Sequence, residues 1–204
     1  MSTETTLQSG EKGGGETAGF DLARLVELAR ENQERTVEGR KLPPVHLWEP
    51  ERCGAMDMVI RADGTWWHEG GRIERPGLAN LFSTILRKDG DTYFLVTPAE
   101  KIEITVERAP FLATRVDAEG EGEGQSLFFT INNGDTVEAG PSRPIQVETD
   151  AESGEPSPFV LVRDQLEASI TRAAFYELAE LAVERDGVLG VWSGGKFFPL
   201  GPAS

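Results

Sequence analysis

The chain has 204 residues, 38% of them hydrophobic and 27% charged, and its 35 acidic and 20 basic side chains give a net charge of −15. That length fills one large domain or two small ones, and no run of about 18 uncharged apolar residues is present to cross a membrane as a helix. A single cysteine, Cys53, excludes an intrachain disulfide and a cysteine-based zinc cluster; with no basic-then-apolar leader pattern at the N-terminus, it points to a reducing cytoplasm.

The acid is unevenly spread. Residues 91–157 hold 14 acidic and 4 basic side chains, whereas residues 20–90 hold 12 and 11. An extended nucleic acid is repelled by that middle. A small anion in a local basic pocket is not, because screening cuts charges off within about 8 Å.

Residues 1–18 are mostly Thr, Gly, Glu and Ser and read as a disordered tail. Phe20 to Glu34 reads as a helix capped by Asp21, with Leu22, Leu25, Val26 and Ala29 on one stripe. Pro43-Pro44 keep residues 37–50 extended. Residues 57–62 and 65–69 flank Asp63-Gly64 and read as a hairpin with a two-residue turn. That turn places Arg61 opposite Trp66 and Val59 opposite His68 on one face, with Ile60 beside Trp67 on the other.

Pro76 to Lys88 is the clearest helix, with Leu78, Leu81, Phe82, Ile85 and Leu86 in helical spacing and Gly90 as its terminator. Strands follow at 93–97, 101–106, 111–116, 127–131, 136–138, 145–147 and 159–163, separated by acidic loops at 117–125 and 150–158. Thr171 to Arg185 is the last helix, ended by Gly187. Residues 188–192 and 196–200 form a final hairpin around Gly194-Gly195.

A shift of 97 residues aligns the two best helices without a gap: Ile73 with Ile170, Arg75 with Arg172, Leu81 with Leu178, Asp89 with Asp186 and Gly90 with Gly187. Helix periodicity accounts for the leucines but not for the paired arginines. The reading is an α+β chain with an internally duplicated strand–helix–strand unit, divided into a tail (1–18), an N-terminal α+β domain (19–90) and a β-rich C-terminal domain (91–204).

Several runs carry a family resemblance: Cys53-Gly54-Ala55-Met56-Asp57-Met58, Asp63-Gly64-Thr65-Trp66, Ile73-Glu74-Arg75-Pro76, Leu95-Val96-Thr97-Pro98, Ala109-Pro110-Phe111, Asn133-Gly134-Asp135 and Val191-Trp192-Ser193-Gly194-Gly195. From about Pro43 to Gly201 the chain resembles a proteobacterial family known as domain of unknown function 1285. The resemblance implies a duplicated core whose C-terminal half is a pleckstrin-homology-like (PH-like) antiparallel barrel with a helix. It further implies a small, nucleotide-like ligand between the halves and a part in signal transduction, with no established activity.

Among residues that can carry chemistry, Arg75 and Arg172 each stand where a helix begins, a place that disfavours a cation by about 0.3–1 kcal/mol. Either each arginine and its helix N-terminus receive an anion, or each pairs with a nearby acid: Glu69 or Glu74 for the first, Asp164 or Glu167 for the second. Trp66 and His68 on the hairpin can stack and hydrogen-bond a ring, or Arg61 simply covers Trp66. Trp192 covers a ligand or plugs the core. Cys53, Asp57 and His68 form a hydrolase set only if they meet in space. His46 and His68 are too far apart in sequence to suggest a metal site, and no phosphate-binding glycine motif is present.

The function expected is a ligand-binding or regulatory protein. A small anionic or nucleotide-like molecule would sit between the halves, held by Arg75, Arg172 and Lys101 and walled by Trp66 and Tyr176, with His68 and Trp192 nearby; no other cofactor is indicated. The alternatives are a protein–protein adaptor offering an acidic surface or an open strand edge to a basic partner, and an uncharacterised hydrolase.

Overall fold

The computed structural model describes residues 20–33, 42–149 and 154–203, so the expected tail at 1–18 lies outside the described residues. Helix α1 (Leu22–Glu31) is capped by Asp21, whose carboxylate accepts from Ala23 N at 3.0 Å. A short 3-10 turn at Val45–Leu47 leads to β1 (Arg52–Ile60), β2 (Trp66–His68), β3 (Gly71–Arg72), α2 (Pro76–Thr84), β4 (Leu86–Asp89), β5 (Thr92–Val96) and β6 (Glu100–Val106). These strands make one six-stranded sheet in the order β3-β2-β1-β6-β5-β4, antiparallel except where β1 runs parallel to β6.

The chain then forms β7 (Phe111–Glu119), β8 (Ser126–Ile131), β9 (Thr136–Glu138), β10 (Ile145–Thr149), β11 (Pro156–Arg163) and β12 (Leu166–Ile170), a second six-stranded sheet in the order β10-β11-β12-β7-β8-β9. Helix α3 (Arg172–Glu180) precedes β13 (Val183–Arg185), β14 (Val188–Ser193) and β15 (Lys196–Pro202), a three-stranded sheet. Among the described residues the architecture is thus mostly β with three α-helices. One apolar core runs through both halves, from Leu25 and Trp66 through Phe82, Phe111 and Phe129 to Phe198.

The hairpin register differs from the expected one. The Asp63 carboxylate accepts from Thr65 N (2.9 Å) and from Thr65 Oγ1 (2.6 Å), and these bonds hold its pKa below the ordinary value. Together with Gly64 at φ 76° they close a three-residue turn, sealed by Arg61 N donating to Thr65 O at 2.9 Å. Ile60 therefore faces Trp66, Val59 faces Trp67 and Met58 faces His68. A one-residue slip turns every side chain over. Trp66 goes into the core against Phe82, 5.9 Å between ring centroids, and Arg61 lies over Trp67 at 4.6 Å instead.

Helices α2 and α3 both end earlier than their periodicity suggests. Helix α2 stops at Thr84, and Leu86 to Asp89 leave it to pair with Thr92 to Leu95. Likewise α3 stops at Glu180, and Val183 to Arg185 pair with Val188 to Gly190. Gly90 (φ 60°) and Gly187 (φ 78°) are hairpin-turn residues, not helix terminators. The order helix, strand, strand, strand thus occurs twice, with starting points offset by 96 or 97 residues.

The expected division at residue 90 is too early. Strands β4 to β6 belong to the first sheet, because β6 returns alongside β1, so the passage between sheets falls at residues 107–110. The junction is tight. Glu107 N donates to Ile60 O at 2.9 Å, its carboxylate accepts from Ala62 N at 2.8 Å, and Ala109 is buried.

Candidate binding clefts

Helix α1 is fastened at both ends. Near its start the Phe20 ring fills the space that a Cβ on Gly54 would occupy, with the Arg52 guanidinium 4.7 Å from the ring centroid. Arg24 Nε reaches Glu100 Oε1 at 3.2 Å, and Arg52 Nη1 reaches the same oxygen at 2.6 Å. Glu100 is fully buried, and its Oε2 has no hydrogen-bond partner among the described residues. At the other end Gln33 Nε2 donates to Thr84 Oγ1 at 3.4 Å, tying the C-terminal ends of α1 and α2 together.

A cleft of about 1050 Å³ opens between the two helices. Leu22, Val26, Leu78 and Leu81 give it an apolar floor, and Arg30 and Arg75 stand on it with Glu27. Arg75 is the N-cap of α2 and caps nothing with its side chain. Pro76 has no N–H, so Gly77 supplies the first free backbone donor of the helix. Neither Arg30 nor Arg75 makes a side-chain hydrogen bond or ion pair with any described residue, so the expected pairing of Arg75 with Glu69 or Glu74 does not occur.

Arg172 stands over a different cleft, of about 370 Å³, with Arg108, Phe175 and Tyr176. Its Nε donates to Tyr176 Oη at 3.2 Å and its guanidinium lies 5.8 Å from that ring. The hydrogen bond to Tyr176, the charge of that phenol and the field of Glu155 raise its pKa. Asp164 and Glu167 are not its partners. Arg108 Nη2 donates to Ser157 Oγ at 2.7 Å, and its guanidinium lies 5.6 Å from the Phe159 ring.

Arg75 and Arg172 therefore do not share a pocket. The other predicted residues are scattered too. Trp66 is a core residue whose edge borders a small crevice of about 250 Å³ between the halves, with Asn80 and Asn132. His68 lies at the end of β2, its Nδ1 2.9 Å from Asp57 O. Lys101 is tied to Asp89 at 2.7 Å and covers Phe94 at 4.2 Å, a structural role. Trp192 packs edge-on against Phe197 at 5.4 Å, under Arg185. Cys53 and Met58, the residue opposite His68, are five positions apart on β1, about 17 Å along a strand, so thiol and imidazole do not meet. Among the described residues no group of histidine, cysteine and carboxylate side chains could hold a metal.

The structure adds Arg30 and Arg108. Arg30 was legible in principle, since it follows Val26 by one helical turn and so borders the apolar stripe. Arg108 lies in the passage between sheets, where no periodicity points to it.

A mostly β chain of two consecutive units is thus defined, and the comparisons give it a family. A family model described as the N-terminal domain of a domain of unknown function (DUF1285) matches residues 43–109, and one described as the C-terminal domain of that protein of unknown function matches residues 110–200. The chain belongs to the DUF1285 family. It is similar to the crystal structure of a DUF1285 family protein from Silicibacter pomeroyi DSS-3, with 44% identity and a TM-score of 0.77 over 86% of this chain and 94% of that one. It also matches a DUF1285 family protein from Shewanella baltica OS155, at 25% identity and a TM-score of 0.48 over 60% of this chain and 90% of that one. No curated protein matches. No helix among the described residues is long and apolar enough to cross a membrane.

Proposed function

We propose that this is a ligand-binding, regulatory protein of the cytoplasm, and that its ligand is a small organic anion with an apolar body, nucleotides included, seated between α1 and α2. The observation that carries this reading is a pair of arginines, Arg30 and Arg75, without side-chain partners among the described residues, over an apolar floor. A guanidinium left unpaired beside a helix N-terminus stabilises a bound carboxylate or phosphate through charge-assisted hydrogen bonds. The cleft volume of about 1050 Å³ suits a molecule of nucleotide size. This moves the expected site from between the halves to within the first one. The recurring helix-and-three-strand order and the matched arginines favour an origin by duplication; a PH-like second half rests on the family resemblance alone, and a sensor of this kind fits signal transduction.

A thermal-shift screen with nucleoside phosphates and with aliphatic and aromatic carboxylates tests it. A true ligand at a hundred times its Kd stabilises by about 2.7 kcal/mol. Arg75→Ala and Arg30→Ala should each remove the shift while leaving the unliganded melting temperature within a degree or so of the parent, whereas Arg172→Ala should leave the shift intact. A shift that survives both cleft variants, or is lost with Arg172→Ala alone, would place the ligand elsewhere.

A further inference from the structure

We infer that the trough between α3 and the β10–β11 hairpin binds a free fatty acid, its carboxylate on Arg108 and Arg172 and its hydrocarbon chain laid along α3. The inference is independent of the α1–α2 cleft.

The trough is continuous. Arg172, Phe175 and Ala179 are three and four residues apart and share one face of α3. Opposite them, Val147 faces Pro158 and Thr149 faces Pro156 across the β10–β11 ladder, so these four side chains stand on one face of the second sheet. The Arg172 cleft of about 370 Å³ has Pro156, Pro158 and Phe175 among its walls. A groove of about 580 Å³ towards the other end of α3 has Pro156 and Phe175 as well, together with Val147 and Ala179. The two spaces therefore meet at Pro156 and Phe175.

Their chemistry is opposite. The far groove is apolar: Ala182, Leu189 and Leu200 add to its walls, and no charged side chain borders it among the described residues, in a chain of which 27% is charged. Leu189, 37% exposed, is one of the four large hydrophobic residues left exposed among those described. At the near end Arg108 donates to the Ser157 hydroxyl and Arg172 to the Tyr176 phenol, both neutral acceptors. A guanidinium carries five N–H donors, and neither arginine has a carboxylate within ion-pair distance among the described residues.

Charge and length select the occupant. Glu155 borders the near cleft too, so its three charged side chains sum to +1, which favours a monoanion over a polyphosphate. From Arg172 to Ala179 the helix advances about 10 Å, the reach of roughly eight extended carbons. One negative charge at the end of a long hydrocarbon chain complements both ends of the trough.

Isothermal titration calorimetry of the full chain with monomeric hexanoate, octanoate and decanoate, and with 1-octanol, tests this. Affinity should rise about fourfold for each added methylene up to decanoate, and 1-octanol should bind at least about tenfold more weakly than octanoate. Arg172→Ala and Arg108→Gln, both at exposed positions, should each weaken octanoate about tenfold, whereas Arg75→Ala should leave it unchanged. Should Arg108→Gln unfold, Arg172→Ala carries the same test. Ala179→Glu, also at an exposed position, puts a charge in the far groove and should reduce decanoate to the affinity of hexanoate while sparing hexanoate. Equal binding of the acid and the alcohol, no gain beyond six carbons, or indifference to both arginines would overturn the inference. So would loss of octanoate with Arg75→Ala, which would put it in the α1–α2 cleft, or sedimentation with phosphatidylglycerol vesicles without affinity for octanoate, which would make the trough a membrane contact. The α1–α2 reading stands or falls separately, on shifts that answer to Arg30 and Arg75.

Discussion

Glu100 lends itself to a test in which the sign of the effect reverses with background. Its carboxylate is wholly buried, with Oε1 shared by Arg52 and Arg24 and Oε2 without a partner among the described residues. Glu100→Gln in the parent forfeits charge-assisted bonds worth about 1.5–3 kcal/mol to Arg52 and under ~1 kcal/mol to the half-exposed Arg24. Against this it removes a buried charge with one unsatisfied oxygen, a relief of about 1–3 kcal/mol. Arg24 then has water within reach, its side chain being 52% exposed, and Arg52 keeps its other contacts, the Phe20 ring among them. The net expectation is a loss of about 1 kcal/mol. Arg52→Met strands the carboxylate inside with only Arg24 and should cost about 3–5 kcal/mol. In that background Glu100→Gln removes a poorly compensated charge and should stabilise. Urea unfolding of the four proteins of the cycle measures this directly. If Glu100→Gln destabilises in both backgrounds, the carboxylate is not the strained partner of the pair, and the reasoning fails.

Asp89 is pushed up by partial burial, yet hydrogen bonds from Lys101 and Arg87 outweigh that and hold its pKa below 3.8. Such a group adds stability above the unfolded pKa and loses it as pH falls through the folded one. The melting-temperature gap between the parent and Asp89→Asn should therefore be full at pH 6 to 7 and shrink below about pH 4. Gly54→Ala should displace the Phe20 ring, cost about 1–3 kcal/mol, and weaken any ligand bound between α1 and α2 although Gly54 does not border that cleft. Gly190→Ala should cost more than Gly54→Ala by thermal melting, because its Cβ would come within 2.5 Å of the Phe198 carbonyl oxygen, part of a paired strand that cannot swing aside.

Where local chemistry settles structure, the sequence was informative. The Asp21 cap, Pro76 as the first residue of α2 and the Gly194-Gly195 turn are all as their residue types imply. The hairpin register was not legible, because Asp63-Gly64 serves a two-residue and a three-residue turn equally well. The Thr65 hydrogen bonds to Asp63 decide between them. The helix ends were misread in both units for one reason: Leu86 and Val183 continue the apolar periodicity, but each has a strand partner, and the hydrogen-bonded ladder wins over helix propensity. Of the site, the arginines were legible and their separation was not, since matching positions in sequence say nothing of which way each helix faces.

That separation clarifies how the two units relate. At the 97-residue offset Arg75 corresponds to Arg172 and Leu78 to Phe175. The first pair borders the α1–α2 cleft and the second the α3 cleft. Equivalent faces of the two helices are therefore the concave ones, each within its own half. What differs is the cover. In the first half α1 is laid over that face and fastened by Phe20, Arg24 and Gln33, which encloses space for something small. In the second half no helix among the described residues covers α3. The same helix face is thus covered in one unit and bare in the other, and only the covered one bears the cleft proposed for a molecule of nucleotide size.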